Sequence, residues 1–192
     1  QIGAQAGLDS LTRVKRNFTA PGPFEVLVRS RAAALNYRDL MILAGRYGSR
    51  KPVDRVPVGD GAGDVVAVGE QVTAVAVGDR VSAAHFTSWL AGDYQPSAFT
   101  ADLGNTADGW LSEIVRLPAN ACVQLPESMS YQSAAALGAA GITAWRVLHV
   151  FGQIKAGDTV LTLGTGGVAT LALQIAKMAG AKVVITSSSD QK

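Results

Sequence analysis

The chain has 192 residues, of which 48% are hydrophobic, and this is enough to bury a substantial core in one or two domains. Basic and acidic residues are interspersed and the formal net charge is +2, so the sequence argues against a nucleic-acid partner. A single cysteine, Cys122, excludes an internal disulfide and a cysteine-rich zinc site. Because neither a membrane-length apolar stretch nor a secretion signal is evident, we expect a soluble, cytoplasmic chain with no membrane partner.

The first part of the chain has the pattern of a small β-rich domain. Residues 24–35 alternate as a strand does, and residues 37–44 carry a short helical stripe that Gly45 ends. Valine-rich segments at 61–72 and 75–81 predict further strands, separated by Gly-Glu and Gly-Asp turns.

A long segment without periodicity follows. Residues 82–110 are predicted to form a loop, after which strands are expected at 111–117 and 121–125. We place a domain boundary just beyond these strands. Residues 1–128 then form the first domain and residues 129–192 the second.

A helical segment opens the second domain. Apolar residues recur at helical spacing over 130–150, and Gly138 and Gly141 are predicted to interrupt this helix. A turn at 155–158 then leads into a strand.

A strand, a glycine turn, a helix and a second strand make up the rest of the chain. The strands are predicted at 159–163 and 182–186, with the helix at 167–179 between them. Gly164 permits a sharp turn, and Gly166 lets the backbone approach a pyrophosphate that the free N–H groups of a helix start can bind. A glycine turn that binds nothing is the alternative interpretation.

The tip of the second strand indicates which dinucleotide would bind. NAD-specific sites place Asp or Glu there to bind the ribose hydroxyls. Here Ser187 and Ser188 offer hydroxyls that accept a 2′-phosphate without repulsion, and Lys192 follows as a counter-charge. The prediction is NADPH, with NADH as the alternative because Asp190 comes shortly after; a solvated serine-rich loop is the interpretation without a cofactor.

The chain also contains, in order, the segments Asn36–Gly48, Val58–Gly69, Ala76–Val81, Gly141–Trp145 and Leu163–Ala169. These segments resemble zinc-independent quinone oxidoreductase-like members of the medium-chain dehydrogenase/reductase superfamily. The resemblance implies an α/β fold in which a GroES-like β domain precedes the first βαβ unit of a Rossmann domain, a doubly wound parallel sheet. It also implies a nicotinamide cofactor and a homodimeric full-length protein.

Zinc ligands are missing from the positions that the resemblance identifies. A catalytic zinc needs about three Cys, His, Asp or Glu ligands. In the zinc alcohol dehydrogenases these ligands occupy the positions matching Asn36, Gly59 and Ala139. The segment matching their structural zinc lobe, 82–110, has no cysteine. The two histidines, His85 and His149, have no carboxylates at a metal-ligand spacing and are predicted to be structural or solvated, so we expect no zinc.

Reduction of the C=C bond of a quinone or α,β-unsaturated carbonyl is the favoured reaction without zinc, because hydride goes to carbon and a hydrogen-bond donor stabilises the enolate. The resemblance places Asn36 and Tyr47 at the substrate cleft as donors and Asp39 as a residue that orients its neighbours. Alternatively, Tyr47 covers the small helix and Asp39 is a charge on that helix surface.

The resemblance also places Thr143 near the nicotinamide; alternatively, this threonine bonds back to its own helical turn. The predicted cofactor contacts are Thr143, Gly164, Thr165, Gly166, Gly167, Val168, Ser187, Ser188 and Lys192.

Three other functions stay open: alcohol dehydrogenase-like activity, enoyl-thioester reduction, and a non-catalytic nucleotide-binding or structural role. The expected partner is a small carbonyl or quinone substrate. We expect the 192 residues alone to bind NADPH poorly and not to turn over, because further Rossmann strands are needed, whereas the full-length protein reduces enones or quinones.

Overall fold

The computed structural model describes residues 1–48 and 54–189. The chain folds into two compact units, Gln1–Gly138 and Ala139–Lys192. This division comes later than the domain boundary predicted between residues 128 and 129.

The first unit is built on a five-stranded antiparallel sheet with strand order β4-β1-β2-β3-β5. Its strands are β1 Glu25–Ala34, β2 Asp60–Val68, β3 Arg80–Ala83, β4 Ile114–Pro118 and β5 Cys122–Gln124. Two register shifts between β1 and β2 bend this central pair, as β-bulges do.

The largest hydrophobic cluster of the first unit lies against this sheet. Alternate residues of the strands point inward, and they bury Val26, Val28, Val65, Val81 and Leu117 around Trp110. A Cβ atom at Gly61 would overlap the Trp110 ring and lie 2.6 Å from its Cε3 atom. The indole therefore requires glycine at that point of β2.

Two short helices accompany the sheet. Helix α1, Tyr37–Leu43, follows β1 directly, and helix α2, Tyr131–Leu137, begins at Ser130, whose hydroxyl accepts the N–H of Ser133. Helix α2 packs its buried alanines against Ala62 of the sheet. These contacts place α2 in the first unit and move the division to Gly138.

The segment 82–110 has little regular secondary structure, as predicted for a loop, although its two ends are buried. It contains a 3₁₀ helix, Pro96–Ala101, and fully buries Asp102 and Trp110 through long-range contacts that periodicity does not reveal. Of the strand predicted at 75–81, only Arg80 and Val81 belong to the sheet, as the start of β3. The predicted Gly-Asp turn is present, because the Asp79 carboxylate accepts the N–H of Ala76.

The second unit contains a βαβ arrangement. Strands β6, Thr159–Thr162, and β7, Lys182–Ile185, pair in parallel. Helix α3, Ala139–Trp145, continues into a π-helical turn, Arg146–Phe151, and helix α4, Gly167–Met178, joins the strands. The core of this unit is formed by Ala144, Leu148, Ala172, Ala176 and Ala181.

Gly141 lies inside α3, so its predicted role as a helix breaker is wrong, whereas Gly138 does separate α2 from α3. Among the described residues no single helix is long and apolar enough to cross a membrane. By length and composition alone, the consecutive segments Tyr131–Leu137 and Ala139–Phe151 pass that test together.

Candidate active site

The junction of β1 and α1 holds two of the predicted site residues. Asn36 is the N-cap of α1, and its backbone N–H donates to Oδ2 of Asp39 at 2.7 Å in a capping box. The Asn36 amide nitrogen donates to Oδ2 of Asp60 at 2.8 Å. Strand β2 begins at Asp60, so the amide joins the start of α1 to the start of β2.

Asp39 is buried rather than exposed on the helix surface, which excludes that alternative. Burial raises the pKa of the Asp39 carboxyl, and the hydrogen bond from Asn36 only partly opposes this shift. The residue thus fixes the start of α1 from the inside of the unit.

His85 lies between two buried carboxylates. Its Nδ1 is 3.0 Å from Oδ1 of Asp60, and its Nε2 is 3.2 Å from Oδ1 of Asp102. His85 is 7% exposed, and this burial is compatible with the expected structural role. Its two partners cannot be identified from sequence spacing. Folding brings them together from β2 and from the 82–110 segment.

Asp102 extends the contacts to Tyr47. Both of its oxygens accept from the Arg38 guanidinium at 2.9 Å, a bidentate pair, and Oδ2 also accepts from Asn105. The Arg38 guanidinium lies 4.8 Å from the centre of the Tyr47 ring, a cation–π contact. We call Asn36, Arg38, Asp60, His85 and Asp102 the polar cluster.

Two glycines make room for the polar cluster. A Cβ atom at Gly59 would overlap Cε1 of His85 and lie 2.9 Å from its Nδ1. A Cβ atom at Gly138 would overlap Oδ1 of Asp60 and lie 2.6 Å from its Cγ. Any larger residue at either position displaces a buried polar group.

Tyr47 stands at the edge of the first unit. Its ring packs against Ile42 and Leu43 of α1, as the covering interpretation expects, and it also lines a cavity of about 440 Å³. Phe99 and Thr106 line the same cavity from the 82–110 segment. Aromatic side chains of that segment pack against one another, three pairs edge to face and one tilted, namely Phe86, Trp89, Tyr94 and Phe99.

The glycine turn of the second unit has an open surface. Gly164 has φ of 82°, in the region that favours glycine, and its N–H donates to the Thr186 hydroxyl at 3.0 Å. Gly166 is the N-cap of α4, without a side-chain cap, and a Cβ atom there would meet nothing within 4 Å. Thr165, Gly167 and Val168 are exposed at the same turn.

The remaining predicted cofactor contacts lie on the surface of the second unit or outside the described residues. Thr143 is exposed on α3, and Ser187 and Ser188 are exposed after β7. The Ser187 hydroxyl donates to the carbonyl of Ser189 at 2.7 Å. Lys192 and Asp190, which bear on the choice of cofactor, are outside the described residues.

The part of the chain that the structure describes contains no group of three or more His, Cys, Asp or Glu side chains able to hold a metal ion. Burial raises the pKa of the Cys122 thiol to about 11, which keeps it protonated and unreactive at neutral pH.

Residues 22–127 match the alcohol dehydrogenase GroES-like domain family. The zinc-type alcohol dehydrogenase-like protein C1773.06c of Schizosaccharomyces pombe is 47% identical over 174 residues, covering 88% of this chain and 50% of that protein. The chain therefore spans about half the length of this relative.

Two solved structures are similar as well. A putative alcohol dehydrogenase from Sinorhizobium meliloti is 41% identical with a TM-score of 0.86, over 92% of this chain and 52% of that one. The Escherichia coli quinone oxidoreductase complexed with NADPH is 27% identical with a TM-score of 0.79, over 99% and 52%. The chain belongs to the alcohol dehydrogenase GroES-like domain family, within the medium-chain dehydrogenase/reductase superfamily.

Proposed function

We propose that this chain is part of a nicotinamide-dependent oxidoreductase that works without catalytic zinc and transfers hydride to a quinone or an α,β-unsaturated carbonyl compound. The observation that carries the proposal is the His85 ring beside Gly59, which leaves no room for a side chain at position 59. That position matches a ligand of the zinc alcohol dehydrogenases. The similarity to a quinone oxidoreductase that binds NADPH supports the same class of reaction.

The side chains of the polar cluster do not fit a zinc ion. Asn36 matches a second ligand position, but its amide donates to Asp60 and an amide is a poor zinc ligand. Both ring nitrogens of His85 face carboxylates, so neither is directed at an open position. Although the S. pombe relative is named zinc-type, the polar cluster of this chain offers no set of zinc ligands.

The glycine turn fits a dinucleotide. The N–H groups of Gly167 and Val168 lie in the first turn of α4, where a helix dipole favours a pyrophosphate. The open space beside Gly166 admits a phosphate close to the backbone. The nicotinamide ring, when bound, supplies the hydride, while Thr143 and Thr165 are proposed to contact the cofactor.

NADPH is the proposed cofactor because hydroxyls follow β7 where an acidic residue would repel a 2′-phosphate. Ser187 and Ser188 are exposed and their hydroxyls would donate to that phosphate, with Lys192 as a counter-charge. For the full-length protein we propose a cytoplasmic homodimer.

Asn36 and Tyr47 are the proposed donors to the substrate carbonyl. As hydride adds to the β-carbon, the electrons of the C=C bond move towards the carbonyl oxygen and leave an enolate, which a hydrogen bond stabilises. A proton from solvent then adds to the α-carbon. The Asn36 amide nitrogen donates one hydrogen bond to Asp60, and Asp39 holds the start of α1 in place.

The test is a substrate panel with the full-length protein. Quinones, enones, enoyl thioesters and simple alcohols are each assayed with NADPH or NADP⁺ and with NADH or NAD⁺, and the change in absorbance of the reduced cofactor is followed. We expect NADPH oxidation with quinones or enones and no oxidation of simple alcohols. Oxidation of alcohols without reduction of any quinone or enone contradicts the proposal, and turnover of enoyl thioesters alone identifies an enoyl reductase instead.

A further inference from the structure

His85 connects the two proposed donors. On one side Asp60 joins its Nδ1 to the Asn36 amide, over distances of 3.0 and 2.8 Å. On the other side Asp102 joins its Nε2 to the Arg38 guanidinium, over distances of 3.2 and 2.9 Å. One imidazole ring thus lies at the centre of contacts that lead both to Asn36 and to Tyr47.

The burial of these groups makes the arrangement stiff. His85, Asp60 and Asp102 are each less than a tenth exposed, and buried polar groups that lose their partners are costly. The contact of Nδ1 with Asp60 is a hydrogen bond, and Nε2 lies at ion-pair distance from Asp102.

The contacts that lead from His85 through Asp102 to Tyr47 depend on the geometry at Arg38. Asp102 holds the guanidinium through two parallel hydrogen bonds, which fix the plane of the fork as well as its position. The Cζ atom of the guanidinium lies over the Tyr47 ring, 4.8 Å from the ring centre. A shift of Asp102 is therefore transmitted to the ring whose hydroxyl is the proposed donor.

We propose that His85 is a positioning residue that sets the places of the Asn36 amide and the Tyr47 hydroxyl for hydride transfer. This inference rests on the proposed reduction of a quinone or enone. His85 itself makes no contact with the reacting atoms. Its effect is on alignment, because displacing a group by about 1 Å costs on the order of 10²-fold in rate.

The experiment is a double-mutant cycle in the full-length protein, with His85→Gln, Tyr47→Phe and both together. The kcat, the KM for the substrate and the affinity for NADPH are measured for each. We expect His85→Gln to lower kcat by about 10- to 100-fold with unchanged NADPH affinity. We expect a smaller effect, by at least about threefold, in the Tyr47→Phe background, because coupled residues are not additive.

A matched control is His149→Gln, which changes the other histidine of the chain, in the second unit beside Trp145. Its effect on kcat is expected to be small and additive with Tyr47→Phe. Circular dichroism and the melting temperature identify any variant that fails to fold. If His85→Gln fails to fold, Arg38→Lys is measured instead. Lysine cannot form the bidentate pair with Asp102, so this variant disrupts only the contacts that lead to Tyr47.

The outcomes separate this inference from the proposed function. An active wild-type protein whose His85→Gln variant keeps its kcat, or whose variants are strictly additive, overturns the positioning role alone. A wild-type protein that reduces no quinone or enone overturns the proposed function, and the positioning role with it.

Discussion

Burial and hydrogen bonding change the acidity of single carboxyl groups of the first unit in opposite directions. Desolvation raises the pKa of Asp39 at the start of α1. Asp79 has its pKa lowered, first by the N–H of Ala76 and then by the Gln124 amide. These two residues therefore make opposite contributions to the pH dependence of stability.

Asp39→Asn is expected to gain stability relative to the wild type as pH rises. The folded pKa of Asp39 lies above its unfolded value, so its contribution is fully present below the unfolded pKa and is lost as pH rises through the folded pKa. Melting temperatures of both proteins between about pH 3 and pH 7 measure the difference.

Asp79→Asn is the control with the opposite sign. The folded pKa of Asp79 is lowered, so its contribution is present above the unfolded pKa and is lost as pH falls through the folded pKa. The wild type is thus expected to gain stability relative to this variant as pH rises. Parallel curves for the two variants would contradict the assignment of Asp39 as a buried carboxyl.

Only some contacts of the polar cluster can be predicted from the sequence. Asn36 is recognisable because it precedes a helical stripe, as N-caps do. The partners of His85 are not, because Asp60 and Asp102 come from different segments and only sheet pairing and the packing of the 82–110 segment bring them to the ring.

Among the elements, the glycine turn before α4 allows the cofactor site to be tested separately from folding. Gly166→Ala places a methyl group in open space, so we expect a loss of stability below about 1 kcal/mol. The same methyl group obstructs a pyrophosphate, and the Kd for NADPH in the full-length protein is expected to rise at least about tenfold.

Gly59→Ala is the matched control for that variant, because its methyl group overlaps the His85 ring. It is expected to lower stability by about 1–3 kcal/mol without the same loss of NADPH affinity. Fluorescence titration with NADPH and thermal melts compare the two variants. An unchanged Kd for Gly166→Ala would contradict binding at the turn.

Elements with strong local patterns are predictable here. The alternation of 24–35 and the strand-turn-helix pattern near Gly164 both correspond to elements of the structure, β1 and the β6–α4 connection. In the segment 75–81 valine favours a strand, but the residues before Arg80 do not pair in the sheet, and the side chain of Asp79 forms a turn there. In α3, packing overrides the low helix propensity of Gly141, which is buried.

For the whole molecule, we expect full activity without zinc. The polar cluster has no ligand geometry for the ion, so the purified full-length protein should contain substoichiometric zinc by elemental analysis. Treatment with a strong chelator should leave both its kcat and its melting temperature unchanged. Loss of either property, restored by adding zinc, would contradict metal-free catalysis.

The resemblance of five ordered segments to a known superfamily predicts the fold class and the family, and the family match confirms both. The composition of the first unit's core does not follow, because Trp110 and Asp102 lie in a segment with no periodicity. Their burial depends on space left by Gly61 and on charge supplied by Arg38, both distant in the chain.

The overlap between His85 and a side chain at position 59 also restricts how this protein can evolve. A histidine cannot enter position 59 while His85 is present, and loss of His85 alone removes one contact from each of two buried aspartates. Each change is therefore expected to lower stability on its own. A mutational route that brings histidine to position 59 is expected to pass through a less stable intermediate, whichever of the two positions changes first.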